Sequence, residues 1–229
     1  MGTTTADSWK RARVLIIGAG GLGGPIGLIL AREGVGTIGI VDDDVVEESN
    51  LHRQIQFRMS DIGRPKISAM AERLRVFGAR VELHSTRFVP RNAASLVREY
   101  DLVVEATDNF ATKFLSAEAA KIESKPIIHS SAIRWVGTIV ALAQRGCYSC
   151  LFESAPDGAQ ESCELAGVMG PVVGLTAALT ADLARERLEK EIERPIVISV
   201  DGKSASPIRR REFSPRRDCH LCREFKVTV

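Results

Sequence analysis

Short apolar runs alternate along most of the chain with longer segments in which apolar residues recur every three or four positions. The runs have the length and β-branched content of buried strands, and the longer segments have the period of helices that pack on one side. Seven runs are expected to be strands: "VLIIG", "TIGIVDDD", "VELHS", "DLVVEAT", "KPIIHSSAI", "GTIVALAQ" and "PIVISVDG". Five segments are expected to be helices: "GPIGLILAREGVG", "PKISAMAERLRVFG", "RNAASLVREY", "DNFATKFLSAEAAKIE" and a long one over residues 167–193.

This order of elements predicts an α/β fold, a Rossmann-like, doubly wound sheet that is mostly parallel. The alternation ends near residue 144, and the C-terminal strands are expected to be antiparallel. We interpret residues 1–229 as one domain. In it, residues 1–12 form a flexible tail, 153–162 a mobile polar segment and 201–229 a C-terminal extension held by a metal.

Composition and charge limit the classes of partner that the protein could bind. The 229 residues are 45% hydrophobic and carry a net charge of only +2, which argues against a nucleic acid or an anionic membrane as partner. No apolar run is long enough to span a membrane, and the N-terminal residues lack the apolar core of a signal peptide, so we expect a cytoplasmic protein. Five arginines cluster near the C-terminus. We interpret them as a solvated basic loop, with a docking patch for an acidic partner as the alternative: Arg209, Arg210, Arg211, Arg216 and Arg217.

The stretch "GAGGLGGP" after the first strand has the glycine spacing of a nucleotide site. Gly18 allows the tight turn, Gly20 and Gly21 let backbone N–H groups approach a phosphate, and Gly23 lets the helix pack on the strand. Asp42 ends the second strand, where a carboxylate can bind a ribose hydroxyl. Together these residues favour an adenosine nucleotide but leave NAD, FAD and ATP open.

Two cations favour ATP. Arg53 in "SNLHRQ" and Lys66 in "GRPK" belong to a long polar connection that begins at the same strand ends. A triphosphate needs its extra charge neutralised during phosphoryl or nucleotidyl transfer, whereas the helix N-terminus alone can hold a pyrophosphate. The alternative for both residues is ordinary surface charge.

Asp108, in "ATDN", follows the strand "DLVVE" and is expected at the carboxyl edge of the sheet, where such folds bind ligands. A carboxylate that faces phosphates needs a cation between them, so we interpret Asp108 as a Mg²⁺ ligand. The alternative is a capping residue for the helix that starts at Asn109, and both roles are compatible.

The cysteines form two CxxC pairs and one separate thiol. Cys147, Cys150, Cys219 and Cys222 predict a closed, structural tetrahedral zinc site rather than redox pairs. Cys163 lies just before the long helix, where a thiol becomes acidic and nucleophilic; the alternative is a free, packed cysteine. The four histidines are scattered, and we expect ordinary surface or core roles for them.

Eight motifs carry a family resemblance: "GAGGLG", "DDD", "SNLHRQ", "GRPK", "ATDN", "CYSC", "CELAGVMGP" and "CHLC" follow the order seen in the ThiF/MoeB/HesA family. The chain resembles these adenylyltransferases, which are similar to the adenylation domain of ubiquitin-activating enzymes, over residues 13–222. The resemblance implies that Mg-ATP adenylates the C-terminal glycine carboxylate, in a Gly-Gly end, of a small ubiquitin-like or sulfur-carrier protein and releases pyrophosphate. The ATP contacts that it implies are Gly21, Asp42, Asp44, Ser49, Asn50, Leu51, His52, Arg53, Gln54, Lys66, Asp108 and Asn109.

The resemblance also makes Cys163 the residue that accepts the activated carboxylate as a thioester or enters a sulfur-transfer disulfide. It implies a homodimer in which an "RYxRQ"-type arm reaches the neighbouring ATP. That arm is absent before Val14, which leaves the dimer open, and Arg11 and Arg13 are not assigned to the role. Without a rhodanese segment in the sequence, the sulfur donor is expected to be a separate protein.

Other functions remain open from the sequence. The same site could adenylate a small-molecule or peptide carboxylate, or the chain could be the inactive half of a heterodimeric activating enzyme. An NAD-dependent dehydrogenase fits the glycines but leaves "SNLHRQ", "GRPK" and the paired cysteines unexplained.

Overall fold

One sheet organises the molecule. The computed structural model describes residues 8–142, 146–152, 166–190, 192–219 and 221–222. Within them, eight strands lie in the order β3-β2-β1-β4-β5-β6-β7-β8. The strands are β1 (Arg13–Ile17), β2 (Thr37–Val41), β3 (Arg80–His84), β4 (Leu102–Glu105), β5 (Ile127–Ile133), β6 (Val136–Leu142), β7 (Ile196–Asp201) and β8 (Ile208–Glu212). The α-helices are α1 (Gly23–Arg32), α2 (Lys66–Arg75), α3 (Pro90–Arg98), α4 (Phe110–Ile122) and α5 (Gly170–Glu189).

Strand direction divides the sheet into two halves. β3, β2, β1, β4 and β5 pair in parallel, and β6, β7 and β8 continue antiparallel. The predicted fold is therefore confirmed. The chain leaves β1 towards β2 on one side and returns at β4 on the other, so the carboxyl ends of β1 and β4 flank the point where the winding reverses. Open α/β sheets bind ligands at such a point.

Helices cover both faces of the parallel half. Since alternate side chains of a strand point to opposite sides, each central strand contributes to a core on each face. Val14 and Ile16 of β1 belong to a core that includes residues of α1, α2 and α5. Leu15 and Ile17 belong to a second core that includes residues of α3 and α4. With both faces covered, the strands read as continuous apolar runs, which explains why they were visible in the sequence.

Three boundaries differ from the expectations. Trp9 falls in the expected flexible tail but is buried, and its indole N–H donates to the Glu33 carbonyl at 3.0 Å. The long helix runs over Gly170–Glu189 rather than 167–193, with a proline in its first turn. The arginines at 209–211, interpreted as a loop, belong to β8, which pairs with β7. The expected mobile segment 153–162 lies outside the described residues.

Among the described helices, none combines the length and the apolar character that a membrane crossing demands.

Candidate active site

The glycine turn lies between the ends of β1 and β4. Gly18 has φ +97°, a left-handed conformation that favours glycine, and a Cβ there would lie 3.0 Å from the Thr107 methyl group. A Cβ on Gly23 would lie 1.8 Å from the Gly18 carbonyl oxygen. The turn therefore needs glycine at Gly18 for its backbone angle and at Gly23 for the contact between α1 and the turn.

Two polar side chains hold this turn from inside the protein. The Asp42 carboxylate accepts hydrogen bonds from the N–H of Ala19 at 2.7 Å and of Asp44 at 2.8 Å. Burial raises the pKa of Asp42, and these two hydrogen bonds oppose the rise. The buried Gln56 amide donates to the carbonyl oxygens of Ala19 and Gly20, both at 3.0 Å. Sequence reasoning missed Gln56, because nothing local to "QIQF" shows which glutamine faces the turn.

The connection between β2 and α2 carries the two predicted cations. The buried Lys66 ammonium lies 2.8 Å from an Asp44 carboxylate oxygen. An Arg53 guanidinium N–H donates to the Ser49 carbonyl at 3.3 Å. Lys66 is the first residue of α2, and Arg53 follows a 3-10 turn over Glu48–Asn50. Each side chain is held by a partner within the same connection.

Asp61 ties the same connection to α2. It is buried, and its carboxylate pairs with Arg64 and Arg73 at 2.8 Å each. Burial raises the pKa of Asp61, but the Arg58 backbone N–H and the two guanidinium groups outweigh it and hold the pKa below its usual value. The loop that carries Arg53 is therefore fixed by charge as well as by packing.

Asp108 faces the cleft, and its carboxylate neither caps a helix nor pairs with another described side chain. Asn109, not Asp108, caps α4, since its side-chain oxygen accepts from the Thr112 N–H at 3.2 Å. This corrects the alternative in which Asp108 was the cap. Asp108 is exposed, and within the described residues its carboxylate makes no hydrogen bond or ion pair. Its oxygens are free to bind a cation such as Mg²⁺, which prefers carboxylate and phosphate oxygens.

A cavity of about 1030 Å³ opens above these elements. Most of the predicted binding residues line it together, from five separate segments of the chain. They are Gly18, Gly20, Gly21, Asp42, Asp44, Asn50, Arg53, Gln54, Lys66, Asp108 and Asn109.

Four residues of the predicted set do not line the cavity: Gly23, Ser49, Leu51 and His52. Gly23 packs against Gly18, and Leu51 packs on the core. Ser49 contacts Glu47, and a His52 ring nitrogen lies 2.9 Å from the Ser49 carbonyl. Their contacts with ATP stay predictions. The contacts that they make in the structure stabilise the turn and the connection.

The cavity is also lined by a basic side chain that the sequence did not indicate. Arg87 lines it and lies 3.5 Å from an Asp43 carboxylate oxygen. Arg87 comes three residues after the end of β3, as Asp108 does after β4, so the strand-end rule that pointed to Asp42 and Asp108 could have pointed to it as well.

The predicted zinc cysteines come together at the far end of β6. The Sγ atom of Cys147 lies 3.8, 3.5 and 3.5 Å from the Sγ atoms of Cys150, Cys219 and Cys222, and the Sγ atoms of Cys150 and Cys222 are 3.6 Å apart. Four sulfurs at ~2.3 Å from a tetrahedral zinc ion lie about 3.8 Å from one another. The cluster therefore has the donors and the spacing for a metal ion, and the four thiols are not joined as disulfides.

Other predicted residues lie away from the cleft or outside the described part. The three described histidines do not line the cavity: His52 is exposed, His84 lies 2.7 Å from the Tyr100 hydroxyl, and His129 is buried. Arg13 begins β1 at the end opposite the cleft and pairs with Glu82 at 2.6 Å. Cys163 lies outside the described residues, and its role stays a prediction.

Comparison with known proteins identifies the family. The profile of the ThiF family matches residues 1–221. The chain belongs to the ThiF family. The resemblance drawn from the eight motifs is therefore confirmed.

Curated relatives of this ThiF-family chain carry related names. It is 35% identical over 241 residues to "Adenylyltransferase and sulfurtransferase uba4" of Aspergillus clavatus, covering 96% of this chain and 49% of the relative. It is 39% identical over 180 residues to "Sulfur carrier protein adenylyltransferase" of Thermus thermophilus, covering 74% of this chain and 66% of the relative. The chain thus spans about half the length of the fungal relative.

Solved structures agree on the fold. A crystal structure of Escherichia coli MccB with MccA-N7isoASN superposes with a TM-score of 0.81 at 21% identity, over 95% of this chain and 68% of that chain. A crystal structure of PaaA gives 0.70 at 20% identity, over 92% and 75%. At these identities the ThiF-family chain shares their fold, and the likeness carries no further conclusion.

Proposed function

We propose that this chain uses MgATP to adenylate the C-terminal carboxylate of a small ubiquitin-like or sulfur-carrier protein with a Gly-Gly end. The observation that carries the proposal is the cleft itself. Arg53 and Lys66 line it with the glycine turn, and Asp108 faces it with a free carboxylate. The pyrophosphate of a redox dinucleotide can be held by the helix N-terminus, whereas the extra charge of a reacting triphosphate is neutralised by cationic side chains and by Mg²⁺, which a carboxylate can bind. The adenylyltransferase names of the relatives support the same reaction.

The reaction follows from these charges. A carrier carboxylate oxygen attacks the α-phosphorus of ATP, and the bond from that phosphorus to the bridging oxygen breaks, so that pyrophosphate leaves with the electron pair. Arg53 and Lys66 neutralise the negative charge that develops on the leaving group. Mg²⁺ bound to Asp108 would screen the phosphates from the approaching carboxylate. The step needs positioning and charge neutralisation more than a general base, which agrees with the absence of histidine from the described lining.

The finer partners belong to the same proposal. We assign Zn²⁺ to the cysteine cluster, where it would hold the C-terminal extension against the end of β6. We assign the sulfur donor to a separate protein and the chain to the cytoplasm, and we keep Cys163 as the candidate acceptor of the activated carboxylate. A homodimer stays part of the proposal.

Pyrophosphate exchange into ATP tests the proposal. Exchange that requires a carrier ending in Gly-Gly, and that stops when the terminal glycine is removed from the carrier, supports it. Exchange with a small acid or short peptide in place of the carrier would replace it with adenylation of such a carboxylate. No binding of ATP to the metal-loaded protein would overturn both.

Matched variants connect the exchange to the site. Asp108→Ala should abolish Mg²⁺-dependent exchange. Asp182→Ala, which removes an exposed carboxylate on α5, should leave exchange at the wild-type rate. Equal exchange by the two variants would show that Asp108 does not serve the metal.

A further inference from the structure

A buried charge cluster lies directly behind the cleft and has no role in the reaction as described so far. Glu105 of β4, Lys113 of α4 and His129 of β5 are 0%, 3% and 2% exposed. The Lys113 ammonium donates to Glu105 Oε2 at 2.5 Å and to the Ser130 carbonyl at 3.1 Å. Burying two opposite charges carries a large desolvation penalty for each ion, and well-packed apolar residues in their place are often as stable. Their presence beside the cleft therefore calls for a reason other than stability.

The second oxygen of Glu105 gives that reason. Oε1 accepts hydrogen bonds from both the backbone N–H, at 2.8 Å, and the hydroxyl of Thr107. The same hydroxyl accepts from the Asn109 N–H at 3.4 Å. Asp108 stands between these two residues. The backbone before it is held by the Glu105 carboxylate directly, and the backbone after it is held through the Thr107 hydroxyl.

The environment keeps that carboxylate charged and dry. Burial raises the pKa of Glu105, but Lys113 and His129 outweigh burial and hold the pKa below its usual value. Burial lowers the pKa of His129, and a His129 ring nitrogen lies 3.4 Å from Glu105 Oε2. The Tyr148 ring, 4.5 Å from the imidazole between centroids, covers the cluster from the side of the cysteines. An ionised carboxylate accepts stronger hydrogen bonds than a neutral one, which suits it to hold a turn.

We propose that Glu105 and Lys113 are positioning residues for the nucleotide cleft: Glu105 fixes the turn that presents Asp108, and Lys113 fixes Glu105 against β5. The inference rests on the proposed function, since it gives Asp108 its metal. It adds two residues that touch neither nucleotide nor carrier, and one hydroxyl, that of Thr107, through which they act.

A Mg²⁺ titration of the binding of a fluorescent ATP analogue to the full chain tests this. Glu105→Gln keeps the shape and removes the charge, and Lys113→Met keeps the length and removes the ammonium. Both should raise the Mg²⁺ concentration for half-maximal binding by roughly 10- to 100-fold, the effect of removing a partner behind a metal ligand. Glu82→Gln is the control. It breaks the ion pair between Glu82 of β3 and Arg13 of β1, away from the cleft, and should leave that concentration unchanged.

Two further variants separate positioning from folding. The double variant, Glu105→Gln with Lys113→Met, leaves no lone buried charge, so its unfolding temperature should recover while its Mg²⁺ requirement stays high. Thr107→Val leaves the buried pair intact and removes one donor to Glu105, so it should raise the Mg²⁺ requirement while lowering the unfolding temperature less than either single charge variant does. Where Glu105→Gln does not fold, Thr107→Val decides.

The outcomes are distinct. Wild-type Mg²⁺ dependence in Thr107→Val and in folded Glu105→Gln would overturn the inference and leave the proposed function standing. Recovery of wild-type Mg²⁺ dependence in the double variant would show that the pair acts through stability alone and would also overturn it. No Mg²⁺-dependent binding by the wild-type chain would overturn the inference and the proposed function together.

Discussion

Gly23 and Gly20 are both glycines of the nucleotide motif, but the structure gives them different roles, and alanine at each position separates the two. In Gly23→Ala, the new Cβ would lie 1.8 Å from the Gly18 carbonyl oxygen and 3.2 Å from an Ile16 methyl group. Real Cβ atoms essentially never approach other atoms within 3.0 Å. The start of α1 must therefore move away from the turn by more than about 1 Å, because the blocking atom is backbone and cannot rotate aside.

That movement costs both stability and binding. Forcing an extra carbon into a well-packed site costs typically about 1–3 kcal/mol, and a backbone obstacle places Gly23→Ala at the upper end, ~3 kcal/mol. A domain of this kind has only about 5–15 kcal/mol in total. Because the same movement displaces the N–H groups at the start of α1, nucleotide binding should be lost in whatever fraction remains folded.

Gly20→Ala is the matched control. The nearest atom to its Cβ is the Gln54 amide nitrogen at 3.9 Å, an ordinary contact, and Gly20 lines the cavity. The free energy of unfolding should change by no more than about 0.5 kcal/mol. ATP affinity should nevertheless fall roughly tenfold, since a methyl group stands where the backbone approaches phosphate.

Urea unfolding and calorimetric titration with MgATP measure the two effects separately. Wild-type stability and affinity in Gly23→Ala would refute the steric reasoning. Wild-type affinity in Gly20→Ala would show that Gly20 is not part of the phosphate site.

Three further predictions concern the charges and the cysteines. Asp61→Asn should lower the free energy of unfolding by roughly 1.5–3 kcal/mol at pH 7. Because the folded pKa of Asp61 lies below its unfolded value, the difference from wild type should shrink as the pH falls below about 4. A difference in urea unfolding that is constant from pH 7 to pH 3 would contradict this. Lys66→Met should slow pyrophosphate exchange yet cost no more than about 1 kcal/mol, since its partner Asp44 is exposed and water can solvate it; a large fall in unfolding temperature with normal exchange would assign Lys66 to the fold instead. A zinc chelator, or Cys147→Ser, should lower the unfolding temperature and make the C-terminal extension sensitive to protease, and a chelated protein that unfolds like the loaded one would rule out a structural metal.

Strand ends account for what the sequence predicted of the cleft. Gly18, Asp42 and Asp108 each follow a buried strand, and parallel strands bring their carboxyl ends to one edge. Recognising the strands was therefore enough to bring these residues together. The residues that support them were not predicted. Gln56 holds the turn across 36 residues of sequence, and Glu105 is a charged residue in an apolar strand whose partners come from another helix and strand.

β8 was missed for a different physical reason. All five of its residues are exposed, so the strand has no apolar face to leave a period in the sequence. It exists through backbone pairing with β7 and through an ion pair from Arg210 to Glu186 of α5 at 2.9 Å. Charged side chains on an outer strand also discourage pairing with a further strand. The arginines of "IRRRE" therefore mark the edge of the sheet that the described residues form. A pattern of apolar residues reveals a strand only when the strand buries apolar side chains. β8 buries none and is held by its backbone pairing and its ion pair, so the sequence pattern does not show it.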